Sequence, residues 1–270
     1  MRAILAVINW AVRKKWLPVA PTVEIVRVSK LRHAKGRPLC GEEFDKLLAK
    51  VEGEVGAAAK DSWIYLLRGL VESGLRREEL MSMHWTDHNY LKPVWRKGSL
   101  PVVAIPAEMQ KNYTEESIPM LPGLESLLLE TPEQQRFGFC FNPLSLQVKL
   151  GRKVRSPRPS AHWVGKIISR IGKAAGVQVN DKTGKCASAQ DLRRTTAQDL
   201  FDAEIPDHDV TTVMRHSSIE TTRRYYATGN VQKSGGRLRA KLSNVPRYGL
   251  PSANETDEGA TDTTPQSQTI

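Results

Sequence analysis

Four short stretches of this chain hold residues whose types and spacing suit chemistry on a phosphate ester. The first is Ser73-Gly74-Leu75-Arg76-Arg77-Glu78-Glu79-Leu80, at the start of an expected helix. The second is Lys111, which precedes Pro119 in KNYTEESIP, and the third is Gln190-Asp191-Leu192-Arg193-Arg194-Thr195. The fourth runs from Met214-Arg215-His216-Ser217-Ser218 to Thr221-Thr222-Arg223-Arg224-Tyr225-Tyr226. Singly, each has an ordinary explanation. Arg76 reads as a surface arginine, Lys111 as a solvated charge, His216 as a structural histidine at a turn, and one of Tyr225 and Tyr226 as a core residue. Gln190 and Arg193 stand i,i+3 and share a helix face. That face borders an apolar stripe, so the guanidinium there is half-buried and needs an anionic partner.

Together the four stretches meet the demands of breaking a DNA phosphodiester. Such a reaction needs donors for the non-bridging oxygens, a nucleophile, and an acid for the leaving oxygen. Two arginines can clamp a phosphate through paired hydrogen bonds, and a tyrosine phenol can attack phosphorus and hold a covalent intermediate. A lysine can protonate the departing 5′-oxygen, and a histidine can bond the phosphate. Arginines that carry the charge stabilisation leave no need for a metal. The chain also lacks an H-E-x-x-H motif, a G-K-[ST] loop and an obvious carboxylate cluster that would hold one. No cofactor is expected.

These residues depend on the elements that carry them. Residues 1–16 read as an amphipathic helix with Ile4, Ile8, Ala11 and Val12 at helical spacing, closed by Pro18 and Pro21. Ser29 to Pro38 is polar and basic and reads as a linker. From Cys40 to about Leu80 the pattern is helical, with Gly74 as a C-terminal stop. His88–Trp95 and Leu100–Ile105 read as strands of a small antiparallel sheet. Further helices are expected over Leu121–Glu130, His162–Gly176 and Ser188–Ala203. The last of these carries Leu192, Thr196, Leu200 and Ala203 on one face and opens on a Ser188-x-x-Asp191 capping box variant. Phe137–Pro143 reads as a short buried strand or loop, and Asn180–Lys185 as a turn-rich loop. Helices follow from Pro206 to about Arg215 and over Thr221–Tyr226, whereas the segment from Leu250 onward lacks periodic apolar residues and is expected to be disordered.

The chain has 270 residues, with 40 Lys and Arg against 29 Asp and Glu, a net charge of +11. A strongly basic chain favours a polyanionic partner, nucleic acid before an acidic membrane surface. Residues 247–270 hold one basic and four acidic side chains, so residues 1–246 carry 39 basic and 25 acidic groups, a net +14. No apolar run approaches the roughly 18–20 residues of a membrane-spanning helix, and no membrane partner is expected. Cys40, Cys140 and Cys186 are widely spaced, which argues against a disulfide framework or a structural zinc site and for a reducing compartment.

The order and spacing of the four stretches resemble the tyrosine recombinases, the phage-integrase family. SGLRREEL resembles the family's first arginine box, which maps the first catalytic arginine to Arg76 and its supporting acid to Glu79. Lys111, ahead of IPMLP, falls at the family's hairpin lysine. QDLRRTTA resembles the H-x-x-R box and maps the second arginine to Arg193, while MRHSSIETTRRYYA resembles the G-H-S-S…T-T…Y-Y ending. The family's histidine is mapped to His216, and its histidine-to-tyrosine interval selects Tyr225 over Tyr226 as the nucleophile. The resemblance runs from about Pro38 to Ala227.

It implies a mainly α (α+β) fold, a helical tyrosine-recombinase catalytic domain with a small antiparallel β-sheet. The implied organisation is a last helix of a core-binding domain over 1–28, a linker over 29–38, the catalytic domain over 39–235 and a C-terminal segment with a disordered tail over 236–270. Most of the core-binding domain is expected to be absent. The implied activity is site-specific cutting and rejoining of DNA through a 3′-phosphotyrosine. The implied partners are double-stranded DNA, a homo-tetramer on that DNA with C-terminal segments exchanged between subunits, and accessory DNA-bending proteins. The implied location is the cytoplasm, with the nucleoid.

Two residues depart from the family pattern. Gln190 stands where a histidine is usual, and glutamine can hydrogen-bond but cannot exchange a proton near neutral pH. Arg215 stands where glycine is usual; it is costly if φ is positive there, and its side chain is long enough to reach DNA. An impaired remnant that binds DNA without efficient cleavage, and a relaxing enzyme that uses the same tyrosine, are the rival expectations.

Overall fold

The apolar repeat at the N-terminus forms helix α1 (Arg2–Arg13). Its half-buried positions are Leu5, Ile8, Ala11 and Val12, so the expected stripe holds except that Leu5 takes the place of the exposed Ile4. The chain leaves the helix through Lys15 in the left-handed region (φ 58°), and the Trp16 ring meets Trp10 edge-on at 4.8 Å. The computed structural model describes residues 2–21, 36–110, 113–144, 158–215 and 239. The chain divides into two units, Met1–Lys35 and Gly36–Ile270. The expected Thr221–Tyr226 helix, residues 145–157, and the chain after Ala227 apart from residue 239 lie outside the described residues.

In the second unit, helices α2 (Gly41–Val55), α3 (Lys60–Ser73) and α4 (Arg77–Ser82) arise from the periodic stretch after Cys40. Helix α3 is central. Trp63, Leu66, Leu67 and Leu70 recur three or four residues apart and are fully buried against α2, α5 (Pro122–Leu129) and α7 (Ala189–Asp202). Gly69 on α3 lets the Phe141 ring close in, since a Cβ there would lie 2.3 Å from Phe141 Cε1. The FGFCFNP stretch is thus an irregular core segment, with an isolated β-bridge between His84 and Phe139 and backbone bonds from the Trp85 N–H to the Gly138 carbonyl and from the Cys140 N–H to the Met83 carbonyl.

The sheet has three antiparallel strands in the order β1 (Lys92–Val94), β2 (Val102–Ile105), β3 (Glu116–Pro119). Strand β1 is shorter than expected, because residues 88–91 form a turn and only Lys92–Val94 pair with Val102–Ala104. Strand β3 pairs Ile118 with Val103, and both side chains are buried. Its single core-facing position gives too little alternation to be read as a strand from sequence. Helix α6 (Ala161–Ala174) is capped by the Ser160 hydroxyl, which accepts from the Trp163 N–H at 3.3 Å. The expected turn-rich loop at 180–185 is present as the turn of a hairpin, whose short strands β4 (Gln178–Asn180) and β5 (Lys185–Cys186) were not expected.

Helix α7 begins after Ser188 as expected, and the Asp191 carboxylate accepts from the Ser188 backbone N–H at 3.1 Å. Its burial does not follow a simple apolar stripe. All residues from Asp191 to Ala197 are buried and Ala203 is exposed. The polar ones are tolerated because they are bonded. Asp191 pairs with Arg194 and with Lys185 (2.6 Å), the Thr195 hydroxyl accepts from the Leu39 N–H (2.9 Å), and the Thr196 hydroxyl donates to the Val71 carbonyl (2.6 Å). The last described helix, α8 (Asp207–Met214), packs Val210 and Met214 with Ala197 of α7. Among the described residues, no helix is long and apolar enough to cross a membrane.

Candidate active site

The turn between α3 and α4 sets the first arginine. Gly74 ends α3 in the left-handed region (φ 61°), and a Cβ there would also lie 2.9 Å from Met214 Sδ and 3.1 Å from Thr196 Cγ2. Both constraints call for glycine. Two residues later Arg76 stands extended (φ −68°, ψ 149°) at the N-cap of α4. Glu79 reaches back to it, accepting from the Arg76 backbone N–H at 2.8 Å and from its guanidinium at 2.9 Å. One carboxylate thus orients both the turn and the side chain.

Arg193 comes from the second turn of α7 and is only 2% exposed. Its two terminal nitrogens donate to the carbonyls of Gly74 and Met214. The expected half-buried guanidinium is thus fully buried, with backbone carbonyls among its partners, and it fastens the α3–α4 turn to the end of α8. Gln190, one turn earlier, is exposed. Arg76, Gln190 and Arg193 line one cleft of about 250 Å³, together with Arg77, Ser169 and Ser188. Gly165 of α6 makes room for Arg77, whose Nη1 would lie 1.7 Å from a Cβ at that position.

Arg77 was not singled out from the sequence, because the residue after the box arginine reads as an ordinary solvated charge. Glu78 beside it is disfavoured as an anion by burial, but the Arg77 guanidinium and the charge of Arg76 outweigh this and hold its carboxyl below the usual value.

Arg215 follows α8 in the left-handed region (φ 47°, ψ 49°). The positive φ that makes this position costly for a non-glycine residue is therefore present. The guanidinium turns inward, donating to Glu79 at 2.7 Å and to the side-chain oxygen of Gln110 at 2.8 Å. Of the remaining expected site residues, Lys111 falls in the chain between β2 and β3, His216 directly follows Arg215, and Tyr225 comes later. All three lie outside the described residues.

The family model described as the phage integrase family matches residues 37–231, and the chain belongs to that family. Solved structures share its fold. A XerH site-specific recombinase bound to palindromic difH substrate, in a post-cleavage complex, superposes with a TM-score of 0.58 at 16% identity, over 89% of this chain and 65% of that one. A lambda integrase dimer bound to a COC′ core site gives 0.53 at 16% identity, over 82% and 69%. A Tn1549 transposon integrase in complex with circular intermediate DNA gives 0.53 at 15% identity, over 88% and 76%. The chain spans 65% and 62% of the lengths of the two XerH chains it matches. No curated protein matches it. The described architecture, mainly helical with small antiparallel sheets, is that of a tyrosine-recombinase catalytic domain.

Proposed function

We propose that the chain is a site-specific DNA recombinase or integrase that cuts and rejoins duplex DNA through a covalent 3′-phosphotyrosine. The observation that carries this reading is the single cleft lined by Arg76, Gln190 and Arg193, with Glu79 bonded to Arg76, in a chain of this family. The Tyr225 phenol attacks phosphorus and gives up its proton to solvent water, a P–O bond to tyrosine forms, and the bond to the 5′-oxygen breaks. Lys111 delivers the proton that the leaving 5′-oxygen takes up. Arg76, Arg193 and His216 hold the non-bridging oxygens as charge builds on them. Gln190 supplies a hydrogen bond only. Reversal with a 5′-hydroxyl from another duplex restores the phosphodiester, so no external energy source is consumed.

The catalytic domain is assigned to 39–235, and a homo-tetramer on two duplexes, with or without DNA-bending proteins, is the assembly in which exchange takes place. Such work is done in the cytoplasm, at the nucleoid, and the three free cysteines suit a reducing compartment. Incubation of the full chain with a nicked suicide duplex gives an SDS-resistant protein–DNA adduct, which Tyr225→Phe abolishes. Absence of that adduct overturns the cleavage reading. A second reading, duplex binding without efficient cleavage, is favoured by the glutamine at 190, which cannot take up a proton. Retention of duplex in a gel shift without adduct distinguishes it.

A further inference from the structure

Arg215 occupies a position where its backbone conformation favours glycine, so its side chain invites an explanation. A left-handed backbone strains any residue that carries a Cβ. The side chain is 14% exposed and therefore does not extend into solvent. It joins three separate parts of the fold. One terminal nitrogen donates to Glu79 Oε1 on α4, the same oxygen that accepts from Arg76. The other donates to Gln110 at 2.8 Å, and Nε stands 3.7 Å from Glu116 on β3. Gln110 itself donates to Glu116, which closes the group. The backbone takes part as well, since the Arg215 carbonyl accepts from the Arg76 guanidinium at 3.1 Å and the preceding Met214 carbonyl accepts from Arg193.

We infer that Arg215 is a positioning residue that clamps α4, the β2–β3 connection and the end of α8 into one arrangement for strand cleavage. The inference rests on the cleavage reading above and extends it. Each of the three clamped points is bonded or adjacent in sequence to a residue assigned a role there: Glu79 to Arg76, Gln110 to Lys111, and Arg215 itself to His216. A guanidinium suits this task because its rigid fork serves two acceptors at once, and a lysine can reach one at a time. The clamp replaces the conformational ease of glycine with a fixed link between Gln110 and the Glu79–Arg76 pair.

The test compares two nicked suicide duplexes, one with the ordinary 5′-bridging oxygen and one with a 5′-bridging sulfur. A thiol, with a pKa of about 8.5, leaves without being protonated, so the sulfur substrate does not need the general acid. With the oxygen substrate, Arg215→Gly lowers the rate of adduct formation about 10-fold or more, while duplex affinity stays within about 2-fold. With the sulfur substrate most of that loss disappears. Gln110→Ala shows the same pattern more weakly, and Arg215→Lys is intermediate.

A general loss of structure would slow both substrates equally, and that result overturns the inference, as does an Arg215→Gly enzyme as fast as the wild type. Should Arg215→Gly fail to fold, Gln110→Ala and Arg215→Lys carry the comparison. If the wild type forms no adduct with either substrate, the cleavage reading itself fails. The clamp is then read by hydrogen exchange. Arg215→Gly speeds exchange of amides in 76–80 and 113–119 if the clamp exists, and unchanged exchange overturns it.

Discussion

Gln190 and Glu43 show how single side chains set what can be measured. Gln190 is exposed in the cleft, so a ring at this position has room there beside Arg76 and Arg193. If proton transfer at that position limits cleavage, Gln190→His raises the rate of adduct formation, and the gain follows the neutral imidazole as pH rises through about 6.5. A flat response shows that the glutamine suffices. Glu43 is bonded at 2.6 Å to Arg37, whose guanidinium also reaches the Gln178 carbonyl at 2.9 Å. The arginine's hydrogen bond, opposed by burial, holds the Glu43 carboxyl below its ordinary 4.5. A carboxylate depressed in the folded state stabilises fully above its unfolded value, and that contribution is lost as pH falls through the folded one. The stability gap between wild type and Glu43→Gln is therefore constant above about pH 4.5 and closes below it, as acid denaturation monitored by circular dichroism would read.

At the scale of elements, the site is built by helix ends. Gly74 stops α3, Arg76 starts α4, Ser188 starts α7 and Arg215 stops α8. Gly74→Ala adds both a left-handed penalty and a contact against Met214 and Thr196, and is expected to cost about 2 kcal/mol or more in thermal unfolding. Gly172→Ala is a second test. Its Cβ would lie 2.3 Å from the Ala187 carbonyl oxygen, and backbone cannot rotate away as a side chain can. It lowers the melting temperature and shifts the start of α7, with Gln190 on its first turn.

These ends were the legible part of the sequence. The glycine stop and the Ser188-x-x-Asp191 pattern mark their helices locally. The third strand and the β4–β5 hairpin were not legible, because strands of two to four residues carry too few alternating positions. Nor was the inward turn of Arg215, which depends on Glu79 and Gln110, both more than 100 positions away in the chain.

Across the whole molecule, charge is uneven along the chain. Residues 1–246 carry +14, and the last 24 residues offset three of those charges. Duplex affinity should fall linearly with salt on logarithmic axes, by a slope of about 0.9 for each phosphate neutralised. Truncation after Pro246 removes the acidic excess and tightens binding at low salt. A binding isotherm insensitive to salt would argue against a phosphate-tracking surface.

The burial of Arg193 bears on how any of its variants must be interpreted. Its guanidinium donates to the carbonyl ends of two helices at once, and a helix C-terminus carries a partial negative charge. Remove the arginine and two like-signed helix ends face each other across an emptied interior. An inactive Arg193→Ala protein thus reports the undocking of α8 as readily as the loss of a phosphate contact. Only a substitution that leaves the melting temperature in place can separate the two.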